Sequence, residues 1–324
     1  MKAVRIYEFG SPEVLVVEDV PVPQVPPHGV LIRVKAAGII FGDVLARKGV
    51  EQERAPKTLP YGPGAEVAGV IEAVGSEVAK FAPGQRVMAR VADGGYAEFA
   101  VAAAGQVFPL PDDVPFDTAL VYLVNLPAAH LVYHAFGAVR PKDTILLHAA
   151  AGGVGTLVTQ IAKRIGENTV IALVSSDDKA AHCRANGADH VINYRTSDYV
   201  EEVLKITGGQ GVDVCLNSVA GPTLQTDPYA IRNAGRWAIY GYAAGKGSID
   251  PFKHFNRALT INVSASIGHA ARPEFQQAGA ALGEWLRTQP LDRPHQQFAL
   301  DDVQAAHRWI EEQKSFGKVV LTVG

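Results

Sequence analysis

Residues 144–155 read TILLHAAAGGVG, and this stretch decides the fold. The first six of these residues are typical of a buried strand, and residues 154–165 have the periodicity of a helix. Small residues between a strand and a helix let the backbone approach a phosphate, which the N–H groups and the dipole of the helix start then bind. The pattern predicts a pyrophosphate-binding loop made of Ala151, Gly152, Gly153, Val154 and Gly155. A glycine-rich turn without a ligand is the alternative, and the strand-loop-helix context counts against it.

Strands and helices alternate downstream of this loop. Predicted strands cover residues 169–174, 190–192, 212–217, 235–240 and 259–264, and predicted helices cover residues 179–186 and 198–207. Alternation at this length indicates βαβ units in a parallel, doubly wound sheet. We place this dinucleotide-binding domain at residues 121–265, with an apolar helix over residues 126–136 near its start.

The N-terminal third has a different pattern, with short strands separated by turns rich in Pro and Gly. Predicted strands cover residues 2–7, 14–19, 30–37, 66–74 and 86–90, with one short helix over residues 42–47. This spacing is typical of a barrel-like β unit, which we place at residues 1–120. Helices over residues 273–288 and 301–312 and a strand over residues 317–323 are expected to return to it, so that residues 266–324 complete this domain. The fold class is therefore α/β, a β-barrel domain plus a doubly wound domain.

The composition limits the function classes. The chain has 324 residues, of which 48% are hydrophobic and 19% charged, and its net charge of -3 comes from 30 basic and 33 acidic residues. Such a balance predicts no nucleic-acid partner. Its two cysteines, Cys183 and Cys215, are too few for a disulfide framework or a four-cysteine zinc site. No uninterrupted apolar run of about 18 residues occurs and the start does not resemble a signal peptide, so we expect a cytoplasmic enzyme without a membrane span.

The tip of the strand over residues 169–174 bears on the choice of dinucleotide. An NAD enzyme usually has an acid there that binds the ribose hydroxyls. This chain has Ser175, Ser176 and Lys179 instead, which suit a 2′-phosphate, although Asp177 and Asp178 oppose that interpretation. Lys179 taken singly is more often an ordinary solvated residue. Because the acid is missing at the tip, we predict NADPH as the cofactor.

Several stretches together resemble one family along essentially the whole chain. They include residues 1–15, 29–38 and 59–75, the cofactor loop, and the closing GKVVLTV at residues 317–323. The chain resembles the zinc-free quinone-oxidoreductase branch of the medium-chain dehydrogenase/reductase superfamily. The segment LVNLPAAHLVYHAFG at residues 123–137 is similar to the sub-branch of vesicle amine transport proteins and polyketide enoyl reductases.

The resemblance implies a GroES-like first domain, a Rossmann second domain, and hydride transfer from NADPH to a small-molecule quinone or enone. It also implies a homodimer formed by pairing edge strands near residues 259–264. By matching motif positions, it implies that further residues contact the cofactor: Asn125, Tyr194, Asn217, Gly241, Tyr242 and Lys318.

Zinc members of the superfamily carry a Cys and a His where this chain has Ile40 and Ala65, so no metal site of that type is expected. Without a Lewis acid, reduction of an activated C=C bond or a quinone is favoured over alcohol chemistry. Compared with its own branch, the chain has Ile40 for Asn, Ala128 for Thr and His130 for Tyr. It also lacks a Tyr common near residues 45–51, where it has Leu45 and Glu51. These changes remove donors and imply either an unusual, more apolar substrate or a different reaction.

The candidate reactive groups are His130, Tyr61 and Asp43. His130, on an apolar helix, is more often a satisfied core histidine, but a near-neutral pKa would let it protonate a reduced substrate. Tyr61 is as well explained by packing as by substrate contact, and Asp43 better as a helix cap than as an acid. Solvent is an alternative proton source.

Two rival functions remain open from the sequence. One is a stand-alone enoyl-thioester reductase, which needs basic residues such as Arg47, Lys57 or Arg272 for its carrier. The other is a cofactor-binding protein without catalysis.

Overall fold

The structure is a computed structural model that describes residues 1–50, 52–53, 55–264 and 296–324. These residues form two compact units: residues 1–124 with residues 296–324, and residues 125–264. The predicted helix over residues 273–288 lies outside the described residues, as do Glu51 and Arg272. Fifteen strands are described: β1 Lys2–Arg5, β2 Val16–Asp19, β3 Gly29–Ile39, β4 Glu66–Val74, β5 Arg86–Arg90, β6 Phe99–Ala103, β7 Val107–Pro109, β8 Thr144–Leu147, β9 Thr169–Val174, β10 His190–Asn193, β11 Val212–Asn217, β12 Ile231–Ile239, β13 Thr260–Val263, β14 Gln296–Ala299 and β15 Val319–Thr322.

Eight α-helices are described in the same part of the chain: α1 Phe41–Arg47, α2 Phe116–Leu120, α3 Leu126–Leu131, α4 Gly153–Ile161, α5 Asp177–Ala185, α6 Tyr199–Ile206, α7 Thr223–Ala230 and α8 Val303–Glu311. The predicted helix at residues 42–47 corresponds to α1, and that at residues 301–312 corresponds to α8 preceded by a short 3-10 turn.

The first unit is built on a sheet with the order β14-β15-β3-β4-β5-β7, in which β6 also pairs with β3. All its pairings are antiparallel except β14 with β15. The strands predicted at residues 66–74 and 86–90 are confirmed as β4 and β5. The C-terminal strand β15 pairs with β3 and so lies in the sheet of the first unit. The sequence did not indicate β6, β7 and β14, since none alternates clearly or extends beyond five residues.

The second unit is built on a six-stranded sheet with the order β10-β9-β8-β11-β12-β13. Every pairing in it is parallel, so the doubly wound prediction is confirmed. The chain adds strands to one side of β8 and then crosses to its other side at β11. Ligands bind at the carboxyl ends of the strands flanking such a reversal, which places the expected site beside the loop after β8.

One long apolar helix joins α2 and α3 through π-helical turns and runs over Phe116–Phe136. It is the single helix in the described residues that is long and apolar enough to cross a membrane by length and composition. Because 78% of its most apolar window is buried inside the protein, it fits the core of a folded domain. The helix begins ten residues before the predicted start at residue 126, so the predicted domain boundary at residue 120 falls inside it.

Candidate cofactor and active site

The glycine loop after β8 is shaped for close approach of a ligand to the backbone. Gly152 caps α4, which begins at Gly153, and Ala149 takes a positive φ of 48° at the turn. A Cβ atom at Gly155 would lie 2.5 Å from the carbonyl oxygen of Ala149 and 2.7 Å from the Cα of Ala150. A side chain at Gly155 would therefore push α4 away from the loop. The backbone N–H groups at the start of α4 are held against the loop, as a pyrophosphate requires.

Residues at the tips of β9 and β10 form a cluster of donors next to this loop. Ser176 caps α5, its hydroxyl accepting a hydrogen bond from the backbone N–H of Lys179 at 3.4 Å. The ammonium of Lys179 donates to the hydroxyl of Ser175 at 3.3 Å. The backbone N–H of Tyr194 donates to the carbonyl of Val174 at 3.1 Å, which joins the two strand tips.

Arg195 adds a second cation to this cluster, and it was not among the residues predicted from the sequence. The pKa of Lys179 is lowered by burial first and by the positive charge of Arg195 second. Two cations whose charges act on each other favour an anion at the same place. The available signal was its position directly after Tyr194, just beyond the strand predicted at residues 190–192.

The residues expected along the cofactor path meet at the ends of β11 and β12. Gly241 lies so close to the next loop that a Cβ there would be 2.6 Å from the carbonyl oxygen of Ser218. Tyr242 is half-buried and packs on the core of the second unit. Asn217 is fully buried, and its amide bonds to the backbone N–H groups of Val219 and Ala220 at 2.7 and 2.8 Å. Its side chain therefore shapes the loop, and any cofactor contact at this residue belongs to the backbone.

Two other predicted cofactor residues lie in buried settings. Lys318 forms a buried ion pair with Glu66 inside the first unit. Burial lowers the pKa of its ammonium, and the negative charge of Asp43 opposes that shift. Asn125, 7% exposed, is the last residue of a π-helical turn. The cofactor roles of Asn125 and Lys318 stay predictions.

Asp43 is a structural carboxylate in the first unit. It accepts a hydrogen bond from the backbone N–H of Ile40 at 3.0 Å, which caps the start of α1. It also accepts one from the buried hydroxyl of Tyr96 at 2.9 Å. Burial raises the pKa of Asp43 to about 6, although both hydrogen bonds act to lower it. These contacts agree with the helix-cap interpretation.

Tyr61 is held by the backbone on both sides and buried to 7% exposure. Its N–H and C=O groups pair with Ile6, and the ammonium of Lys57 lies 5.7 Å from its ring centre. Within the described part of the chain its hydroxyl has no hydrogen-bond partner. Burial, and then the charge of Asp43, raises the pKa of this phenol well above its usual value. Tyr61 is therefore a neutral phenol at physiological pH.

His130 stacks on His134, with ring centres 4.3 Å apart. Burial, reinforced by His134, lowers the pKa of His130 to about 4. The near-neutral pKa considered from the sequence is not what this environment gives, because the ring is already uncharged at pH 7. His130 therefore has no proton to spare as an imidazolium after hydride transfer.

The basic residues considered for a carrier-bound substrate are engaged elsewhere. Arg47 is fully buried, donating to the carbonyl of Gly10 at 2.7 Å and pairing with Glu311 at 2.8 Å. Lys57 pairs with Asp93 at 2.5 Å. A phosphopantetheine phosphate therefore has no receptor in Arg47, and Lys57 would have to leave its carboxylate.

Metal-ligand types meet at one place in the described residues. His148, Cys215 and Asp227 have ligand atoms within 4.8 Å of one another. The His148 and Asp227 atoms are only 2.8 Å apart, which is a direct hydrogen bond and leaves no room for an ion between them. At the superfamily's zinc positions, Ile40 and Ala65 offer no ligand atoms.

A parallel sheet with a glycine loop at its reversal point and a cationic cluster at the next strand tip defines a Rossmann-type dinucleotide-binding protein. Residues 26–112 match the family model for the alcohol dehydrogenase GroES-like domain, and residues 153–283 match the model for zinc-binding dehydrogenase. The chain belongs to the zinc-free quinone-oxidoreductase branch of the medium-chain dehydrogenase/reductase superfamily, and it is an oxidoreductase.

Two curated relatives illustrate the similarity. The quinone oxidoreductase of Homo sapiens is 33% identical over 99% of this chain and 97% of its own. A 2-haloacrylate reductase of Burkholderia sp is 32% identical over 98% of both chains. The resemblance to this family inferred from the sequence is therefore confirmed.

Two solved structures share the whole fold. Escherichia coli quinone oxidoreductase complexed with NADPH has a TM-score of 0.91 at 28% identity, and the match covers 99% of this chain and 100% of that one. An enoyl reductase has a TM-score of 0.88 at 26% identity, and the match covers 100% of this chain and 99% of that one. The predicted combination of a GroES-like domain and a Rossmann domain is thus confirmed.

Proposed function

We propose that this protein is an NADPH-dependent reductase of quinones or other conjugated carbonyl compounds. The observation that carries the cofactor assignment is the cationic cluster of Lys179 and Arg195 at the strand tips, with Ser175 and Ser176 as donors. An adenosine 2′-phosphate supplies the negative charge that such a pair favours. The NADPH complex of the Escherichia coli relative supports the same cofactor.

Within this proposal, the second unit holds the cofactor at two places. The start of α4 and the loop through Gly152 and Gly155 would bind the pyrophosphate, and the cluster at the tips of β9 and β10 would bind the 2′-phosphate. The bound cofactor supplies a hydride. The chain's own contribution within this proposal is to orient the cofactor.

The acceptor class follows from what the chain lacks. Ile40 and Ala65 provide no zinc ligand, so no metal of that site polarises a ketone or an alcohol. A quinone or an enone already spreads negative charge after hydride addition, and the product can take its proton from solvent. The uncharged state of His130 and the capping role of Asp43 support that route. The names of the quinone oxidoreductase and 2-haloacrylate reductase relatives point to acceptors of this kind.

The test combines binding with turnover. Fluorescence titration of the purified protein should show NADPH binding at least ~10-fold tighter than NADH, which corresponds to about 1.4 kcal/mol. NADPH oxidation should then be followed with a panel of quinones, enones and enoyl-CoA thioesters. Tight NADPH binding without oxidation by any acceptor would support the non-catalytic alternative. Turnover confined to thioesters would support the enoyl-thioester reductase, although the burial of Arg47 argues against a carrier-bound substrate.

Arg195→Ala with Lys179 left intact gives the sharpest version of the cofactor test. We expect NADPH affinity to fall while NADH affinity stays the same, because NADH has no phosphate to lose. Arg184→Ala on α5 is the matched control, and it should leave both affinities unchanged. Equal losses for NADPH and NADH in Arg195→Ala would contradict the placement of the phosphate.

The proposed assembly is a homodimer joined through β13, the edge strand of the parallel sheet. Ile261 and Val263 on this strand are 43% and 73% exposed, and Phe252 and Phe255 beside it are 84% and 80% exposed. An edge strand with exposed apolar side chains is suited to pairing with a second copy. Sedimentation should give twice the chain mass, and a monomer at micromolar concentration would contradict this assembly. The two free buried cysteines suit a reducing, cytoplasmic location, which cell fractionation would test.

A further inference from the structure

Asp227 lies at the centre of a buried hydrogen-bond network in the second unit. Its carboxylate is 0% exposed and accepts from His148 Nε2 and from the hydroxyl of Tyr199, both at 2.8 Å, on one oxygen. The other oxygen accepts from Asn217 Nδ2 at 2.5 Å and from Trp237 Nε1 at 3.1 Å. A carboxylate offers about four lone-pair sites, and these four donors occupy them, with the thiol of Cys215 at 3.4 Å as a fifth, weaker donor.

Two of the donors, His148 and Asn217, come from the ends of the two strands that flank the reversal point of the sheet. His148 directly follows β8 and directly precedes the glycine loop, and its N–H bonds to the carbonyl of Leu216 at 3.0 Å. Asn217 is the last residue of β11, and its amide oxygen fixes the N–H groups of Val219 and Ala220. One carboxylate thus joins the start of the glycine loop to the start of the loop after β11.

The loop after β11 in turn fixes the loop after β12. The N–H groups of Ala243 and Ala244 donate to the carbonyls of Ser218 and Val219 at 3.2 and 2.8 Å. A shift of Asn217 would therefore move Gly241 as well, which packs against Ser218. Three loops at the carboxyl edge of the sheet depend on one side chain of α7.

Burying a charged carboxylate in a core carries a large desolvation penalty. Burial by itself raises the pKa of Asp227, but His148 and the hydroxyl and amide donors outweigh it, so the pKa is lowered and the group stays ionised. Apolar side chains of similar volume fill such space without a desolvation penalty. The carboxylate instead fixes the orientation of its donors, because each donor group must point at it and each donor side chain is thereby held in one rotamer.

We propose that Asp227 is a positioning residue for hydride transfer, which holds His148 and Asn217 and through them the loops that orient the cofactor. This inference rests on the proposed function for the role of those loops. Asp227 itself touches neither cofactor nor substrate in this scheme, and it acts through the two residues that it binds.

The test compares Asp227→Asn with Asp213→Asn. Asp213 is a matched control because it lies on β11 at the opposite edge of the sheet, where it accepts from the N–H of Thr144 at 2.8 Å and from Arg232 Nε at 2.6 Å. Both substitutions remove a hydrogen-bonded carboxylate from the second unit, Asp213 on β11 and Asp227 on α7, so both should lower stability. Only Asp227→Asn places an amide N–H against the donors of the loop-holding network.

Hydrogen exchange of the cofactor-free protein gives the first readout. We expect the N–H groups of Val219 and Ala220 to exchange about 10-fold faster or more in Asp227→Asn, and at the wild-type rate in Asp213→Asn. The second readout is the Kd for NADPH together with kcat at saturating NADPH. In Asp227→Asn the Kd should rise and kcat should fall, each about 10-fold or more, because small misplacements of reacting groups slow transfer strongly. In Asp213→Asn both values should stay within about twofold of wild type.

Equal behaviour of the two variants in exchange, Kd and kcat would overturn the proposal and leave Asp227 a purely structural residue. If Asp227→Asn does not fold, Asp227→Glu keeps the charge but displaces the carboxylate from Asn217 Nδ2, and the same exchange and binding results are expected. A wild-type protein that binds no NADPH would refute the proposed function instead. The exchange comparison on cofactor-free protein would still show whether Asp227 holds the loops.

Discussion

The parallel sheet of the second unit and the antiparallel sheet of the first both carry polar side chains, but they place them differently. At the strand tips of the parallel sheet, Ser176, Lys179 and Arg195 are partly or fully exposed. The positive charges of Lys179 and Arg195 act on each other. In the first unit, Glu66 on β4 and Lys318 are buried and form an ion pair. The first arrangement favours a ligand of opposite charge, and the second stabilises the fold and uses up its charges in doing so.

The charged residues of the second unit therefore indicate a ligand more clearly than those of the first unit. Charges that are paired internally reveal little about a substrate. Asp43 is occupied by Ile40 and Tyr96, and Arg47 by Gly10 and Glu311. The charges of Asp43 and Arg47 therefore stabilise the first unit and do not identify a substrate.

The largest effect that distinguishes the two regions is expected from Glu66→Gln. The substitution leaves the buried ammonium of Lys318 without its partner, and breaking a buried pair in this way costs about 3–5 kcal/mol. Native-state hydrogen exchange in β3 and β4 should show the loss, while β8 and β11 in the second unit keep their protection.

Asp301→Asn serves as the control, because it removes the partner of Lys2 in an ion pair whose side chains are 51% and 60% exposed. Its effect on the free energy of unfolding should be much smaller than that of Glu66→Gln, because exposed ion pairs contribute little to stability. Comparable losses in the two variants would contradict the claim that burial gives the Glu66–Lys318 pair its importance.

A second prediction concerns Asp43 and pH. Its pKa is about 6 in the folded protein against 3.8 for an ordinary Asp, so the folded state holds this proton more tightly. Proton binding by Asp43 therefore stabilises the folded state fully below about pH 4, and this stabilisation is lost as the pH rises through about 6. Asp43→Asn keeps an oxygen that can accept from Tyr96 and Ile40 and has no charge to bury.

The pH-dependent difference between wild type and Asp43→Asn should amount to about 2–3 kcal/mol, from a shift of about two pKa units. Unfolding free energies at pH 4, 5, 6 and 8 measure it, and the variant should gain relative to wild type as the pH rises. A difference that does not change with pH would mean that Asp43 titrates normally.

The same contrast decides how much of the molecule could be predicted from its sequence. Local patterns predicted β4, β5, β9 and β11 with their observed bounds, because each is a continuous or alternating apolar run between turn residues. The glycine loop was predictable because its strand, turn and helix are contiguous. The residues of the cationic cluster, from Ser175 to Arg195, also lie close together in the sequence.

Features that depend on distant contacts could not be predicted in this way. Glu66 and Lys318 are 252 residues apart, and no local pattern pairs them. α7, which carries Asp227, reads TLQTDPYA, and its polar residues and internal Pro228 conceal a helix. Asn217 was expected to contact the cofactor, and the hydrogen bond of its side chain to Asp227 could not be predicted because it depends on the packing of β11 against α7.

The smallest expected effect is the most selective one, and it concerns Ser176. Asp is as good a helix N-cap as Ser, so Ser176→Asp should keep α5 stable. The new carboxylate would lie beside Lys179, where the 2′-phosphate is proposed to bind, and it would compete for the same positive charge. We expect NADPH affinity to fall at least ~10-fold, about 1.4 kcal/mol, while NADH affinity stays unchanged or rises.

Ser176→Ala separates the capping role from the phosphate role. It removes the cap, which costs about 1 kcal/mol of stability, but it adds no charge. NADPH affinity should therefore fall less in Ser176→Ala than in Ser176→Asp, although Ser176→Ala is the less stable protein. If both cofactors weakened in parallel in Ser176→Asp, the strand tip would not be where the two dinucleotides are distinguished, and the cationic cluster would belong to the surface of α5 alone.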